Sequence, residues 1–532
     1  MSIKVNKNNW IIVSKDDPSY ESMKDLLTIT EKELNVTKQY DQELRRRKTT
    51  YNSRTVPKYL YSIDKSNNDL LIPYGLLKFV KHLFLKSEVE NCTNRTHPLY
   101  NTEDIINNIE TYRTILPGIS LYDNQLEAVK RIFMYKRGAI QAATGFGKTE
   151  IMCAVIQIMK IINNDKYPTI LVLEPTVELL KGIKSRFRKY KIPVNDYRET
   201  RMIMTGKVNL AHPLSLGNDL KKNKKILDKI EVQFMDESHH SSSNTWATPT
   251  YHMSNLIYSI GLSATFVSHY HVNGVHIDDF DYTELRRIGT CGPIIMKVDG
   301  DELIENHQLA YPKLCIIHNN ADEEMDEMEI DYNWQNVRKI RLQSETRTKL
   351  IAKAACTFAK YGRKVIILMN ILDWGRDILK YIHEEGYGDI ARTCFGGQTY
   401  EKINKKSGKI EKEYNSALKL FDKEKIKIII GSSCIQEGLD LSKVDVCILA
   451  QGGKSDRTTL QSVGRALRRS KTGKYAYIVD FNDLTDDMLN KQFRERMMKY
   501  KKVLGINNAD DIIKNCNIEQ LESKFKEWED IK

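Results

Sequence analysis

The segment from Gln141 to Thr149 has the composition of a phosphate-binding loop. It follows an apolar run and precedes a helical pattern of apolar residues that extends from Ile151 to Ile162. Small residues at this place allow backbone N–H groups to approach phosphate oxygens. Lys148 would bring a positive charge to the β- and γ-phosphates, and the Thr149 hydroxyl would bind Mg²⁺. The residues predicted to hold a nucleotide here are Thr144, Gly145, Gly147, Lys148 and Thr149.

Two adjacent carboxylates, Asp236 and Glu237, end a second apolar run. Acidic residues at the carboxyl end of a strand suit the site of an open α/β sheet. Asp236 would hold Mg²⁺ through water, and Glu237 would orient and deprotonate an attacking water. His239 and His240 follow closely. Because the sequence offers no third metal ligand beside them, it favours a polar coupling role over metal binding.

Short apolar strands separated by helical segments must position these residues. This alternation is typical of βαβ units with a buried parallel sheet. We therefore predict an α/β fold with two tandem parallel-sheet domains, preceded by a small α+β accessory domain. The predicted strands are 138–141, 170–173, 202–204 and 232–235 in the first domain, and 365–369, 428–430, 446–449 and 475–479 in the second.

Changes in composition and in apolar patterning along the sequence predict four segments of the chain. They are an accessory domain at 1–115, a first α/β domain at 116–299, a second at 300–485 and a helical tail at 486–532. Within the accessory domain, the spacing of apolar residues predicts a helix over 74–86.

Composition limits the class of protein. The chain has 532 residues, nine cysteines and a formal net charge of +12. The content of 41% hydrophobic residues excludes a disordered chain, and the lack of a CxxC pair argues against a Cys-rich zinc site or a disulfide framework. The first residues lack the apolar core of a signal peptide, and no apolar stretch approaches about 18 residues, so we expect a cytoplasmic protein without a membrane span. The basic excess fits a nucleic-acid partner.

The motifs, taken in order, make residues 118–500 resemble a superfamily-2 helicase of the DExH type. Gly261–Thr265 matches the SAT motif of that family, and it follows the acidic pair as the family requires. The resemblance implies two RecA-like motor domains that use ATP and Mg²⁺ and grip a nucleic acid in alternation. It also implies that Ser263 and Thr265, together with His239, couple hydrolysis to movement.

Two further motifs of this family fall in the second α/β domain. Gly438 and Asp440 occupy the signature positions of motif V, and residues 461–469 form a complete QxxGRxxR motif VI. A guanidinium from a second domain would neutralise the γ-phosphate only when the domains close. Arg465 and Arg468 lie three residues apart, on one face of a helix, and are our candidate arginine fingers, with Gln461 beside them.

The family's other motifs have weaker matches. Gln125 resembles the residue that reads the adenine base. Contacts with the nucleic-acid backbone would be independent of base sequence and sensitive to salt. The same polar loops also suit plain connections, and the region 205–215 matches its motif only loosely. The residues implied to contact the backbone are Pro175, Thr176, Gly396, Gly397 and Ser433.

The segment Leu70–Leu77 is similar to the N-terminal domain of phage UvsW-type recombination helicases. That resemblance implies action on branched DNA: forks, D-loops and junctions, or partly single-stranded DNA. Basic and tyrosine residues before this segment form either the DNA-binding face of the accessory domain or a solvated basic turn. They are Arg45, Arg46, Arg47, Lys48, Tyr51, Arg54 and Tyr59.

Several alternatives stay open. The chain is a DNA helicase, a translocase that moves on duplex DNA without separating strands, or an RNA helicase; the intact Lys148 argues against a non-enzymatic binding module. The oligomeric state stays open, with a monomer favoured. The sequence reveals no strand-separating wedge. In the tail, the basic segment 491–502 either contacts nucleic acid or packs on the second domain, and packing through its apolar residues is favoured. Those residues are Phe493, Met497 and Tyr500.

Overall fold

The structure is a computed structural model that describes most of the chain. The described residues are 2–5, 10–41, 46–84, 88–91, 97–220, 224–267, 276–306, 308–319, 341–369, 371–395, 399–403, 410–414, 417–431, 444–450, 475–483, 487–504 and 509–531. In these ranges, no helix is both long enough and apolar enough to cross a lipid bilayer.

The chain divides into two compact units. Residues 1–142 and 147–297 form the first unit, and residues 143–146 and 298–532 form the second. Among the described residues, each of the two large sheets has seven strands, and the pairings that define their registers are parallel. The predicted α/β class with two tandem parallel sheets is therefore confirmed.

The N-terminal region of the first unit contains a small sheet, a long hairpin and short helices. Its elements are β1 (Ser2–Val5), β2 (Trp10–Val13), α1 (Tyr20–Leu26), β3 (Thr28–Asp41), β4 (Arg46–Tyr59), β5 (Ser62–Ile63), β6 (Leu70–Pro73), α2 (Leu77–Val80) and β7 (Glu88–Asn91), with 3-10 turns at Tyr74–Leu76 and Lys81–Phe84. The small sheet has the strand order β5-β6-β2-β1-β7, whereas β3 and β4 pair with each other.

The large sheet of the first unit carries the predicted phosphate loop and acidic pair. Its elements are α3 (Glu103–Asn107), α4 (Asp123–Tyr135), β8 (Arg137–Ala142), α5 (Lys148–Ile162), β9 (Ile170–Leu173), α6 (Val177–Lys189), β10 (Val194–Asp196), α7 (Tyr197–Thr200), β11 (Val208–Ala211), α8 (Pro213–Leu220), β12 (Val232–Asp236), α9 (Asn244–Tyr251), β13 (Tyr258–Ser263), α10 (Tyr282–Cys291) and β14 (Ile294–Val298), with 3-10 turns at Pro98–Tyr100, Ile109–Tyr112, Lys224–Leu227, Ser238–Ser242 and Ile277–Asp279. The strand order is β10-β11-β9-β12-β13-β8-β14. Strands β9 and β12 are apolar and buried almost throughout, as expected of central parallel strands.

The N-terminal region and the large sheet of the first unit share one hydrophobic core. Leu70, Ile72 and Leu76 are buried in the same cluster as Leu285 and Ile288 of α10. The two parts approach most closely at Gly75, where a Cβ atom would overlap the carbonyl oxygens of α10. The N-terminal region is therefore packed as part of the first unit.

The second unit is built on the other seven-stranded sheet. Its elements are α11 (Gly300–Glu305), β15 (Tyr311–His318), α12 (Glu345–Lys360), β16 (Val365–Leu368), α13 (Leu372–Glu384), β17 (Ala391–Cys394), β18 (Thr399–Ile403), β19 (Ile410–Tyr414), α14 (Ala417–Asp422), β20 (Ile428–Gly431), β21 (Val446–Leu449), β22 (Tyr475–Asn482), α15 (Asp487–Leu504), β23 (Ile512–Cys516) and α16 (Ile518–Trp528), with 3-10 turns at Gly388–Ile390 and Ala509–Asp511. The strand order is β17-β20-β16-β21-β22-β15-β23, and β18 and β19 form a separate hairpin.

The C-terminal segment completes the second unit. Strand β23 pairs with β15 at the edge of the sheet, and Leu521 and Phe525 of α16 are buried in its core. In α15, Tyr500 is buried and its hydroxyl donates to Asp480 at 2.9 Å. The segment predicted as a helical tail thus contains a strand, and Tyr500 packs inside the unit.

Two local predictions were wrong. Residues 202–204 are not a strand, because the sheet takes β10 and β11 on either side of them and Asn209 receives a hydrogen bond from the Met204 N–H at 2.8 Å. The helix predicted over 74–86 is a helical turn of only four residues, α2, flanked by 3-10 turns. Close packing of Gly75 on α10 accounts for the irregular start of that segment.

Candidate functional site

The predicted phosphate loop connects β8 to α5. Gly145 and Gly147 have positive φ angles of 98° and 85°, which glycine adopts without strain. Gly147 is the N-cap residue of α5, and Lys148 and Thr149 are its first two residues. The Lys148 ammonium donates a hydrogen bond to the Ala142 carbonyl at 3.0 Å, so it folds back over the end of β8. The N-terminus of α5 is the part of a helix that attracts phosphate.

Gln125 lies against this loop. Its side chain is only 7% exposed, and its amide oxygen accepts a hydrogen bond from the Tyr122 N–H at 3.0 Å. A Cβ atom on Gly147 would overlap the amide nitrogen of Gln125. The structure thus brings together Gln125 and the last glycine of the loop, which are far apart in sequence.

The acidic pair lies at the carboxyl end of β12. The Glu237 N–H donates to the Asp236 carboxylate at 3.0 Å, and Glu237 adopts a left-handed conformation with φ of 49°. Burial and the charge of Glu237 raise the pKa of Asp236 to about 6, against the opposing effect of Lys148. Two carboxylates with little solvent around them favour the binding of a cation.

A third carboxylate, Glu174, lies beside the acidic pair. Strands β9 and β12 are in register, with Leu173 opposite Met235, so Glu174 and Asp236 follow on neighbouring strands. Glu174 is 0% exposed, and neither carboxylate oxygen has a hydrogen-bond partner. Burial, Asp236 and Glu237 together raise its pKa well above the usual range. The sequence analysis missed this residue, because only Pro175 and Thr176, which follow it, match a motif of the helicase family.

The acidic pair is connected to the predicted SAT motif. His239 Nδ1 lies 3.3 Å from Glu237 Oε2 and 3.1 Å from Ser263 Oγ, which also accepts the Thr265 N–H at 3.2 Å. This chain of contacts is continuous from Glu237 to Thr265, as a coupling role requires.

Gln141 makes a second connection to the same loop. The only sign of it in the sequence is a polar residue at the end of an apolar strand. Its side-chain oxygen accepts the N–H groups of Phe266 and Val267 at 3.1 and 3.0 Å. The end of the phosphate-loop strand is thereby fixed to the segment that follows Thr265.

The residues present fit Mg²⁺ rather than a softer metal. Thr149 and Asp236 offer hydroxyl and carboxylate oxygens, the ligands that Mg²⁺ takes in small number while keeping several waters. Within the described ranges, no group of three or more His, Cys, Asp or Glu side chains is arranged to hold a metal ion. A site with few protein ligands, completed by phosphate and water, agrees with both observations.

Pro175 and Thr176 form the loop after β9, next to the loop after β11. Thr176 Oγ1 accepts the Leu179 N–H at 3.3 Å and caps α6. The Pro175 carbonyl accepts a hydrogen bond from His212 Nε2 at 2.9 Å, while His212 Nδ1 accepts the Leu214 N–H at 3.3 Å, so the proton of this imidazole is on Nε2. His212, which ties the two loops together, falls in the region 205–215 that the sequence matched only loosely.

Other predicted residues lie outside the described part of the chain, and their predictions stand as made. They are Arg45, Gly396, Gly397, Ser433, Gly438, Asp440, Gln461, Arg465 and Arg468.

Comparison with known proteins agrees with this geometry. The family described as "Type III restriction enzyme, res subunit" matches residues 118–268, and the "Helicase conserved C-terminal domain" matches residues 361–470. The "DNA 3'-5' translocase XPB2" of Sulfurisphaera tokodaii is 25% identical over 460 residues, covering 80% of this chain and 95% of the relative. The "ATP-dependent DNA helicase uvsW" of Enterobacteria phage T4 is 22% identical over 429 residues, covering 78% and 79%. Across the first matched relatives, coverage of the relative runs from 66% to 95%.

Solved structures show the same fold. The S. cerevisiae Dbp5 chain bound to RNA and ADP BeF3 superposes with a TM-score of 0.53 at 13% identity, covering 80% of this chain and 97% of Dbp5. The DUF1998 helicase MrfA bound to DNA gives 0.50 at 16% identity, covering 74% and 50%. The two parallel sheets are thus RecA-like domains. The two family matches and the helicases among the relatives support a superfamily-2 helicase, a class of ATP-driven enzymes of nucleic acids. Within that class it resembles the phage UvsW type.

Proposed function

We propose that the protein is an ATP-dependent DNA helicase that remodels branched DNA such as forks, D-loops and junctions. The observation that carries the proposal is the continuous contact from Glu237 through His239 and Ser263 to Thr265, which connects the hydrolytic residues to a coupling motif. The DNA substrate is supported by two relatives, which are named as a DNA translocase and a DNA helicase.

The residues of the first unit have distinct roles in hydrolysis. Lys148 leaves the Ala142 carbonyl and binds the β- and γ-phosphates, while Gln125 holds the adenine base. Thr149 and Asp236 would hold Mg²⁺, which supplies positive charge to the phosphate oxygens when it is bound. Glu237 accepts a proton from the attacking water, a role that suits a carboxylate at the end of a central strand.

Coupling follows from the same contacts. His239 contacts both Glu237 and Ser263, and Ser263 in turn accepts the Thr265 N–H. A change in the hydrogen bonding of Glu237 therefore moves His239 and alters the hydrogen bonds that Ser263 makes with His239 and Thr265. Arg465 and Arg468 would complete the site from the second RecA-like domain. In this proposal, hydrolysis releases that closed state and the motor advances along one strand.

The loops after β9 and β11 are the proposed grip on the nucleic-acid backbone in the first unit. His212 fixes the Pro175 carbonyl, so the two loops keep a constant spacing. Val177 and Leu214, the residues just inside α6 and α8, are 36% and 60% exposed, which leaves the amino ends of both helices accessible to phosphates.

ATPase stimulation tests this function. Turnover is measured at one salt concentration with single-stranded DNA, duplex DNA, a fork, a four-way junction and RNA. We expect the fork and the junction to stimulate turnover several-fold more than single strands or blunt duplex. Strong stimulation by RNA alone would overturn the DNA assignment.

A translocase that moves on duplex DNA without separating strands is the second candidate, because one relative is named as a translocase. A fork-unwinding assay and a triplex-displacement assay, run with the same preparation, separate the two. Triplex displacement without release of the fork's labelled strand would favour the translocase.

A further inference from the structure

The hairpin of β3 and β4 is long and pairs with itself. Fourteen residues of each strand are in antiparallel register, from Thr28 opposite Tyr59 to Asp41 opposite Arg46. At about 3.4 Å per residue the hairpin extends roughly 45 Å. Among the described residues, neither strand pairs with any third strand.

The base of this hairpin is anchored in the first unit. Leu27 and Leu60, which flank it, are buried, and the Leu60 N–H donates to the Leu27 carbonyl at 3.0 Å. An isolated two-stranded ribbon is marginally stable in water, and its outer edges present unpaired N–H and C=O groups. A ribbon of this length gains stability when a partner lies along it.

The charge of the distal part indicates the chemistry of that partner. In the described strands, residues 37–41 and 46–50 carry four basic side chains and one acidic one, a net charge of +3. Residues 1–115 as a whole also carry a net charge of +3, so the rest of the N-terminal region is neutral. The excess is concentrated at the distal ends of the two strands, where Tyr40 is opposite Arg47 in the register. A polyanion with stacking surfaces, namely nucleic acid, complements this pattern.

We propose that the β3–β4 hairpin binds the duplex arm of a branched DNA and separates its strands. A two-stranded ribbon fits the major groove of B-DNA, which is about 12 Å wide. The anchored base connects the ribbon to the unit that carries Lys148 and Asp236, so movement of the motor drives it into the duplex. This inference rests on the proposed function and supplies the wedge that the sequence did not reveal.

Two variants test it against a control of equal charge. The first replaces residues 34–53 with an Asn-Gly turn, and the second is the triple change Arg46→Glu, Arg47→Glu, Lys48→Glu. The control changes three exposed lysines of the same region: Lys15→Glu, Lys65→Glu, Lys81→Glu. Binding of a fluorescein-labelled 25-base-pair duplex is measured by anisotropy, without ATP, between about 50 and 200 mM salt.

We expect the triple ribbon variant to lower the slope of log affinity against log salt by about two to three, since each lost phosphate contact removes about one. Fork unwinding should fall at least tenfold in both ribbon variants, with single-strand-stimulated ATPase within twofold of wild type. Equal salt slopes in the ribbon and control variants would overturn the inference, whether or not the shortened variant folds. Because this binding assay needs no branch and no turnover, its result is separate from that of the fork-stimulation test.

Glu174 carries a second, independent inference. An unpaired buried carboxyl is unfavourable for folding, so its presence beside Asp236 costs stability that an apolar residue would not. Three carboxyl groups, those of Glu174, Asp236 and Glu237, therefore lie at one edge of the sheet.

We infer that Glu174 is a positioning residue for Mg²⁺. Mg²⁺ keeps several of its waters in protein sites, and a carboxylate next to its ligand accepts hydrogen bonds from such waters and orients the ligand. Glu174 meets this requirement because it follows β9 directly beside Asp236 on β12 and has both oxygens free of other partners.

Metal binding is the readout that separates this role from a structural one. Mn²⁺ binding is followed by electron paramagnetic resonance with a non-hydrolysable ATP analogue, for wild type, Glu174→Gln and Glu174→Asp. The control is Glu231→Gln, which removes a carboxylate just before the opposite end of β12. We expect Glu174→Gln to weaken Mn²⁺ binding about tenfold, with partial recovery in Glu174→Asp and no change in the control. Mn²⁺ affinity within twofold of wild type in Glu174→Gln would overturn the inference, and thermal unfolding without metal verifies that each variant is folded.

Discussion

Lys148 is the side chain on which the proposed nucleotide affinity of the loop depends most. In that proposal its ammonium would exchange one neutral partner, the Ala142 carbonyl, for charged phosphate oxygens. We expect Lys148→Ala to lower ATP turnover at least 100-fold. A steady-state phosphate-release assay measures this, with Lys160→Ala in the last turn of the same helix as the control. Turnover within threefold of wild type would refute the assignment of the phosphate loop.

Glu237 and Asp236 should separate into different functions although they are adjacent. Glu237→Gln keeps the shape of the side chain but cannot accept a proton, so we expect turnover to fall about 100- to 1,000-fold while binding of a fluorescent ATP analogue changes little. Asp236→Asn serves as the comparison, because loss of a metal ligand should weaken Mg²⁺-dependent binding. Equal loss of binding in both variants would contradict these separate roles.

Residue identity and spacing predicted most of the candidate site in the first unit. Lys148, Asp236 and Ser263 follow patterns in which local sequence dictates local geometry, namely a loop between strand and helix or the end of a strand. Glu174 and His212 were not predicted as site residues, because their importance comes from neighbours on other strands. No local sequence pattern predicts that the Glu174 carboxyl will be buried without a hydrogen-bond partner.

Gly75 fixes how one element of the N-terminal region meets α10. Because a Cβ atom there would overlap backbone oxygens of Ile288 and Gly289, the two elements would have to separate. We expect Gly75→Ala to destabilise the first unit by about 1–3 kcal/mol, seen as a lower thermal midpoint. Gly182→Ala is the matched control, since nothing lies within 4 Å of its Cβ position in α6 and alanine there should stabilise slightly. Equal midpoints for the two variants would contradict this account of Gly75.

Asp196 holds the short helix α7 in place. Burial alone would raise its pKa, but hydrogen bonds from Arg198 and Lys184 outweigh burial and lower the pKa below its usual value. This stabilisation is therefore present above the unfolded-state pKa near 4 and is lost as the pH falls through the lower folded-state value.

We expect Asp196→Asn to cost about 2 kcal/mol at pH 7 and less at pH 3. Urea unfolding at both pH values measures the difference, with Asp165→Asn at an exposed turn as the control. A loss of equal size at pH 3 and pH 7 would show that charge pairing is not the cause.

At the scale of elements, periodicity predicted the central strands well and the irregular elements poorly. The apolar runs at 170–173 and 365–368 had no competing interpretation, because buried parallel strands are apolar on both faces. The β3–β4 hairpin was not predicted, since most of its residues are polar. The antiparallel register of its two strands is not predicted by composition.

At the scale of the molecule, the N-terminal region is part of the core of the first RecA-like unit. A fragment that begins at residue 116, the predicted domain boundary, would expose Leu285 and Ile288 to water. We expect this fragment to unfold at a lower temperature than the full chain and to bind a hydrophobic dye. Differential scanning fluorimetry and size-exclusion chromatography measure both effects. A monomeric fragment as stable as the full chain would show that the shared core contributes little.

The position of β15 between β22 and β23 has a consequence for biosynthesis. Cys516 contacts the Ile316 carbonyl across 200 residues of sequence, so β15 emerges from the ribosome long before its edge partner exists. At about 5–20 residues per second, that interval is on the order of 10–40 s. Throughout it, β15 is without its edge partner, so an apolar strand of the second unit is incompletely paired during translation, a state that is prone to aggregation.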